Sequence, residues 1–125
     1  MPNEMTTAYL EVAFWTENES FKEDGYPHVE AKWSQAAIIS AEKVCNKFYE
    51  YNADLIEVLS KSKEYNPESS VLQRAGHDLW LTRNGHGTGF WDRSMGEVGE
   101  KLAKAASNLS QSYVYVSDDG FLEVS

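Results

Sequence analysis

The chain has 125 residues, of which 42% are hydrophobic and 25% are charged, and its formal net charge at pH 7 is −9. This length is typical of one domain, the composition excludes a disordered chain, and the single cysteine, Cys45, excludes an intrachain disulfide. Its eleven basic residues are scattered along an acidic chain, which argues against general nucleic-acid binding because phosphate recognition relies on clustered lysine and arginine.

The first quarter of the chain is its most acidic part. Residues 1–30 carry seven acidic residues and one basic residue, and so contribute −6 to the net charge. Residues 7–15 fit an amphipathic helix or an alternating strand, and we favour the helix because neither glycine nor proline interrupts it. Residues 16–29 are predicted to form a polar loop. An acidic surface of this kind suits a basic partner protein, or serves solubility alone.

A long helical pattern follows. Apolar residues recur at three- and four-residue steps over residues 30–61, and Asn52 is the only polar residue in this stripe. The pattern predicts one long helix, or two helices with a bend. Residues 65–68 predict the start of a short helix, with Asn66 as its cap. Gly76 is predicted to end that helix.

The hydrophobic period changes after Gly76. The side chains of residues 77–83 alternate between two faces, which predicts a strand. Glycine occupies every second position of residues 85–89, which predicts a turn, and extended structure is expected to resume at residues 90–92. The sequence therefore predicts a hairpin over residues 77–92.

The last third of the chain is predicted to contain a helix and a second hairpin. Residues 94–97 match the S-x-x-E capping box, which predicts a helix that runs to about Asn108. Two apolar segments, residues 113–116 and 121–124, flank a turn that contains Gly120. These features predict an antiparallel pair of strands at the end of the chain.

Together these elements predict an α+β fold in a single domain over residues 1–125. The two hairpins would form an antiparallel sheet of about four strands, packed against three to four helices, because this arrangement buries both apolar surfaces. Residues 1–66 would form an acidic helical half. Residues 67–125 would form a helix-hairpin-helix-hairpin half.

Residues 76–93 are the segment that looks most like a site, because they contain two of the three histidines, two of the three arginines and two of the four tryptophans. The predicted hairpin would gather its polar groups at one end. One hypothesis is an anion site, in which a guanidinium and the backbone N–H groups of the turn hold a phosphate or carboxylate. The residues assigned to this site are Arg83, Asn84, Gly85, His86, Gly87, Thr88, Gly89 and Arg93.

Two other chemistries are possible for the same segment. His86, oriented by Asp92, is a candidate for acid–base catalysis. A metal site would use these two residues together with His77 and Asp78, but a strand would direct His77 and Asp78 to opposite faces. We therefore predict no metal and no cofactor.

The same residues also have ordinary structural roles. Asp92 can accept hydrogen bonds from the start of the following helix, and Asn84 and Gly85 are common turn residues. Arg83 can pair with an acidic side chain or stack on Trp91. These roles require no ligand.

The sequence of residues 76–93, GHDLWLTRNGHGTGFWDR, resembles the hallmark of a family of small proteins encoded by bacteriophages and by some plasmids or prophages. That hallmark reads approximately GHDFWLTRNGHGAGFWDR, so Leu79 replaces a phenylalanine and Thr88 replaces an alanine. The resemblance extends more loosely through the following helix to residues 113–120. It implies a viral or mobile-element origin and a host bacterial cytoplasm setting, and it assigns no activity to any residue.

We therefore expect a non-enzymatic, acidic phage accessory protein that binds and modulates a host or viral protein, using its acidic N-terminal surface and exposed aromatic residues. The partner would have a basic surface. The alternative is a small-ligand or anion-binding protein, or an enzyme, that uses residues 77–93. No apolar run approaches the roughly 18–20 residues of a membrane-spanning helix, so no membrane association is expected.

Overall fold

The computed structural model describes residues 3–23, 32–62, 65, 70–85, 89–90, 96–117 and 120–124. In these residues the chain forms four helices and two strands, namely α1 (Glu4–Glu23), α2 (Gln35–Ser60), α3 (Val71–Arg83), α4 (Gly96–Ser107), β1 (Val114–Val116) and β2 (Leu122–Val124).

The predicted fold class is wrong. The described part of the chain is mostly helical, and its only sheet is the antiparallel pair of β1 and β2. The first strand of the first predicted hairpin is not present, because residues 77–83 form the second half of α3. The predicted sheet of about four strands therefore loses the strand at residues 77–83.

Helix α1 confirms the helical prediction for residues 7–15 and extends it. The helix continues to Glu23, so the predicted loop is wrong for residues 16–23, and residues 24–29 lie outside the described residues. At the start of α1, the side-chain oxygen of Asn3 accepts a hydrogen bond of 2.8 Å from the backbone N–H of Thr6. This bond satisfies one of the donors that a helix start leaves unpaired.

Helix α2 confirms the prediction of a long helix with a bend. Ser34 caps it, because its hydroxyl accepts a hydrogen bond of 3.0 Å from the N–H of Ala37. The bend is at Asn52, whose φ of −125° and ψ of 21° are not helical. The amide of Asn52 donates to the carbonyl oxygen of Phe48 at 2.9 Å. The one polar residue of the apolar stripe therefore marks the bend.

Helix α3 begins at Ser70, which forms a reciprocal capping box with Gln73. The predicted cap Asn66 lies outside the described residues. The prediction that Gly76 ends the helix is wrong. Gly76 is buried inside the helix. A Cβ atom at Gly76 would collide with the backbone carbonyl oxygen of Met5. The glycine therefore serves the close approach of α1 and α3.

The core lies mainly between α1 and α3. The rings of Tyr9 and Trp80 pack edge to face with centroids 5.3 Å apart. The indole N–H of Trp80 donates to the hydroxyl of Thr16 at 3.0 Å, so this large buried ring has its polar group paired. Helix α4 covers α2 and α3 and buries Leu102 and Ala106.

The terminal hairpin confirms the second predicted hairpin. Val114 pairs with Val124 and Val116 with Leu122, and Gly120 has a φ of 83° in the turn. The hairpin packs on α1 and α2, and a parallel bridge joins Leu122 to Trp33. Helix α4 is confirmed as well, although most of its predicted capping box, residues 94–95, lies outside the described residues.

Candidate functional site

Arg83 is the last residue of α3, and its side chain forms hydrogen bonds within the protein. Its Nε donates to the carbonyl oxygen of Ser110 at 2.7 Å, and its Nη1 donates to the hydroxyl of Tyr9 at 2.9 Å. A cation at this position also suits the partial negative charge at the end of a helix. The guanidinium that was predicted to hold an anion therefore joins α1, α3 and the segment before β1.

Asn84 makes a second connection at the same place. Its side-chain N–H donates to the carbonyl oxygen of Trp80 at 3.1 Å, and its side-chain oxygen accepts from the N–H of Ser112 at 2.8 Å. One amide thus caps the end of α3 and holds the segment that leads into β1. Arg83 and Asn84 are neighbours in the sequence, and both bind residues 110–112.

The glycines of the predicted turn have separate roles. Gly85 is exposed with a φ of 66°, so it ends the helix in a conformation that favours glycine. Gly89 is buried with a φ of 141°, and a Cβ atom there would collide with the side chain of Thr82. The hydroxyl of Thr82 also accepts a hydrogen bond of 3.1 Å from the N–H of Phe90. Gly89 therefore lets the chain return closely onto α3.

The other predicted site residues lie outside the described residues. They are His86, Gly87, Thr88, Asp92 and Arg93. The predicted hairpin was expected to bring these residues together, but its first strand, residues 77–83, is helical. Acid–base catalysis by His86 and Asp92 stays a prediction.

Asp78 belongs to the core. It is fully buried and accepts a hydrogen bond of 2.9 Å from the hydroxyl of Tyr65, which is also fully buried. The guanidinium carbon of Arg74 lies 5.9 Å from the centroid of the Tyr65 ring. In the described part of the chain, no group of three or more histidine, cysteine, aspartate or glutamate side chains is arranged to hold a metal ion.

Burial controls the titration of two core groups. It raises the pKa of Tyr9, and the nearby charge of Arg83 lowers it in part. Burial also raises the pKa of the Cys45 thiol to about 12. A thiol needs its deprotonated form to act as a nucleophile, so Cys45 is a buried apolar residue at neutral pH.

A group of exposed aromatic residues lies on the outer side of the terminal hairpin. Tyr113, Tyr115 and Phe121 are exposed by 62%, 52% and 43%. Tyr115 lies opposite Glu123, and the N–H of Ser117 donates to the carbonyl oxygen of Phe121 at 2.8 Å. This register places the three rings on one side of the sheet. We call them the aromatic hairpin face.

The alternation of the sequence Tyr-Val-Tyr-Val at residues 113–116 is the signal for this face. Alternate residues of a strand point to opposite sides, so the valines and the tyrosines separate. The sequence predicted the hairpin and expected exposed aromatic residues in general. It did not assign them to this side of the hairpin, because the side that packs on the helices depends on the tertiary fold.

No protein-family model, no curated protein and no solved structure matches this chain. Among the residues that the structure describes, no helix has both the length and the apolar content needed to cross a bilayer.

Proposed function

We propose that the protein is a non-enzymatic accessory protein of a bacteriophage or a related mobile element, and that it binds a host or viral protein in the bacterial cytoplasm. The phage setting rests on the resemblance of residues 76–93. The binding role rests on the aromatic hairpin face. The alternative of a small-ligand site is less well supported, because Arg83 and Asn84 use their side chains within the fold.

The aromatic hairpin face is the observation that carries the binding role. Tyrosine and phenylalanine are enriched at protein interfaces, because a large ring buries much apolar area at a small cost in conformational entropy. Three such rings on one side of a two-stranded sheet present exposed apolar area that a partner can cover.

Strand β2, which pairs with the strand that carries Tyr115, is firmly attached to the helices. The backbone of Leu122 accepts from the N–H of Ser34 and donates to the carbonyl oxygen of Lys32, each at 2.9 Å. The hydroxyl of Ser34 also donates to Glu123 at 2.5 Å. A surface that is already ordered loses less entropy when it binds, which favours its use in recognition.

The charge of this end of the sequence indicates the partner. Residues 110–125 contain Asp118, Asp119 and Glu123 and no basic residue. Arginine and lysine side chains stack on tyrosine rings and are attracted by the carboxylates. We therefore propose a partner whose contact surface carries arginine or lysine, which also agrees with the net charge of −9.

The double variant Tyr113→Ser/Tyr115→Ser tests this proposal. Wild-type and variant protein are used as bait in a bacterial lysate at moderate salt, and each recovered protein is purified and tested for direct binding. The matched control is Tyr51→Ser, because Tyr51 is 81% exposed on α2 and is separate from the hairpin. We expect direct binding to be lost in the double variant and kept in the control. Equal binding by all three proteins, or no direct binding at all, would refute the proposal.

A further inference from the structure

A pocket of about 350 Å³ lies where the start of α1 meets the middle of α2 and the start of α3. It is lined by Asn3, Met5, Asn46, Tyr49, Glu50 and Leu72. None of these residues belongs to the aromatic hairpin face or to residues 76–93. Its volume is at the lower end of the range of small-molecule sites, which is about 300–1,000 Å³.

Helix α2 supplies the polar side of the pocket. Asn46, Tyr49 and Glu50 are spaced by three and four residues, so they lie on one face of the helix. The side-chain oxygen of Asn46 accepts a hydrogen bond of 3.0 Å from the side-chain amide of Asn3. Because Asn3 also caps α1 through Thr6, this bond holds the Asn46 amide in one orientation.

The opposite side of the pocket is apolar. Met5 is 2% exposed, and Leu72 is partly buried in the first turn of α3. Glu50 is the only lining residue with a charge at neutral pH. The side chain of Glu50 is exposed, and no hydrogen bond or ion pair joins it to another residue in the described part of the chain. The pocket thus combines an apolar wall, an aromatic ring and an unpaired carboxylate.

We propose that this pocket binds the cationic side chain, arginine or lysine, of a partner polypeptide. The aliphatic stem of such a side chain would lie along Met5 and Leu72, and its charged head would meet Glu50 and the ring of Tyr49. A carboxylate ligand would be repelled by Glu50. Because Glu50 is exposed and hydrated, an apolar ligand would gain nothing from its charge, whereas a cation would be attracted, so the lining favours a cation.

The inference goes beyond the proposed function, because the pocket and the aromatic hairpin face are separate surfaces. The test uses the tripeptide Ac-Gly-Arg-Gly-NH2 and follows the backbone and side-chain amide signals of the full chain by NMR. The tripeptide Ac-Gly-Nle-Gly-NH2, with norleucine, keeps an aliphatic stem and lacks the charge. Signals of Asn46 and Tyr49 report the pocket, and signals of Tyr115 report the hairpin.

We expect the arginine peptide to shift the signals of Asn46 and Tyr49, and the norleucine peptide to leave them unchanged. In Glu50→Gln, binding of the arginine peptide should weaken by about three- to fivefold, the scale of one exposed ion pair. The matched control is Glu100→Gln, which changes an exposed acid on α4 and should bind like wild type.

Three results would overturn the inference. They are equal binding of the two peptides, equal binding by Glu50→Gln and wild type, and shifts confined to the signals of Tyr115. The last result would leave the proposed function intact, because it would place arginine recognition on the hairpin. An unfolding curve of Glu50→Gln that matches wild type excludes misfolding as the cause of weaker binding.

Discussion

The interface between α1 and α3 and the aromatic hairpin face use aromatic residues in opposite ways. At the interface, Tyr9 and Trp80 are 1% and 0% exposed, and both have their polar groups paired inside the protein. On the hairpin, Tyr113 and Tyr115 are 62% and 52% exposed. The first pair stabilises the fold, and the second pair is exposed to solvent.

This difference separates the part of the chain that looks like a site from the part whose aromatic rings are exposed. Residues 76–93 have the most distinctive sequence, yet Asp78, Arg83 and Asn84 have their hydrogen bonds within the protein. The hairpin has an ordinary sequence and an exposed face. A dense motif can therefore reflect the demands of packing as well as those of chemistry.

The substitution Gly76→Ala should cause the largest loss of stability. Helix propensity alone favours alanine by about 1 kcal/mol, but the new methyl group would collide with the backbone carbonyl oxygen of Met5. Overpacking at such a contact costs about 1–3 kcal/mol or more. We expect urea unfolding to show a loss of about 2–3 kcal/mol.

The control for this prediction is Ser107→Ala, at an exposed helical position in α4, which should change stability by less than about 0.5 kcal/mol. Because the colliding atom belongs to the backbone, shortening the Met5 side chain should not rescue Gly76→Ala. A Gly76→Ala protein as stable as wild type would mean that α1 and α3 are not in close contact.

The substitution Arg83→Ala should have the next largest effect. It removes hydrogen bonds to Tyr9 and Ser110, and bonds of a charged group contribute about 1.5–3 kcal/mol. We expect a lower melting temperature in calorimetry and a loss of about 2 kcal/mol. The control Lys104→Ala removes an exposed cation from α4 and should leave the melting temperature nearly unchanged. A stable Arg83→Ala protein would restore Arg83 as a candidate ligand-binding residue.

The buried thiol of Cys45 predicts a loss of stability at high pH. The folded protein keeps the thiol proton until about pH 12, whereas the unfolded chain loses it near the ordinary pKa of 9.0. Between these values the unfolded state binds fewer protons, so the free energy of unfolding falls by up to about 1.4 kcal/mol per pH unit. Below about pH 9 this contribution is fully present.

Urea unfolding at about pH 8 and about pH 10 measures this slope. The raised pKa of Tyr9 acts in the same direction at higher pH. Cys45→Ala should be less sensitive to this change of pH than wild type, although it is less stable at both values because it leaves a small cavity. An equal change in the free energy of unfolding with pH in both proteins would show that the thiol does not contribute to this pH dependence.

The smallest effect on stability is expected on the hairpin. Tyr113→Ser and Tyr115→Ser remove exposed rings, so each should change the free energy of unfolding by less than about 0.5 kcal/mol. Thermal unfolding checks this value. A loss above about 1 kcal/mol would indicate that the rings pack on the protein, and it would weaken their proposed role in binding.

The helices with regular apolar patterns could be predicted from the sequence. In α2 the apolar stripe indicated a long helical segment, either one helix or two with a bend, and the structure places a bend at Asn52, the single polar member of the stripe. In the terminal hairpin, the alternation of tyrosine and valine at residues 113–116 and the glycine at residue 120 indicated two strands joined by a turn. In these elements one face is buried and the other is exposed to solvent, which gives a regular pattern in the sequence.

The second half of helix α3 could not be predicted in this way, because its buried face is broad and partly polar. It buries Asp78 and Thr82 together with Leu79 and Trp80, so the helical period was hidden and a two-residue alternation remained. Gly76 was interpreted as a stop, although its missing side chain serves the contact with α1. Both features depend on neighbouring elements, which a local pattern does not contain.

The most direct test of the account compares Arg83→Ala with Tyr113→Ser/Tyr115→Ser in the same two assays. The assays are melting temperature and, well below that temperature, binding of the peptide Ac-(Arg-Gly)4-NH2 followed at the NMR signals of the aromatic hairpin face. We predict that Arg83→Ala melts lower and still binds the peptide at the hairpin, and that the double tyrosine variant melts like wild type and shows no binding at the remaining hairpin signals. The opposite pattern, with a stable Arg83→Ala that fails to bind, would contradict it.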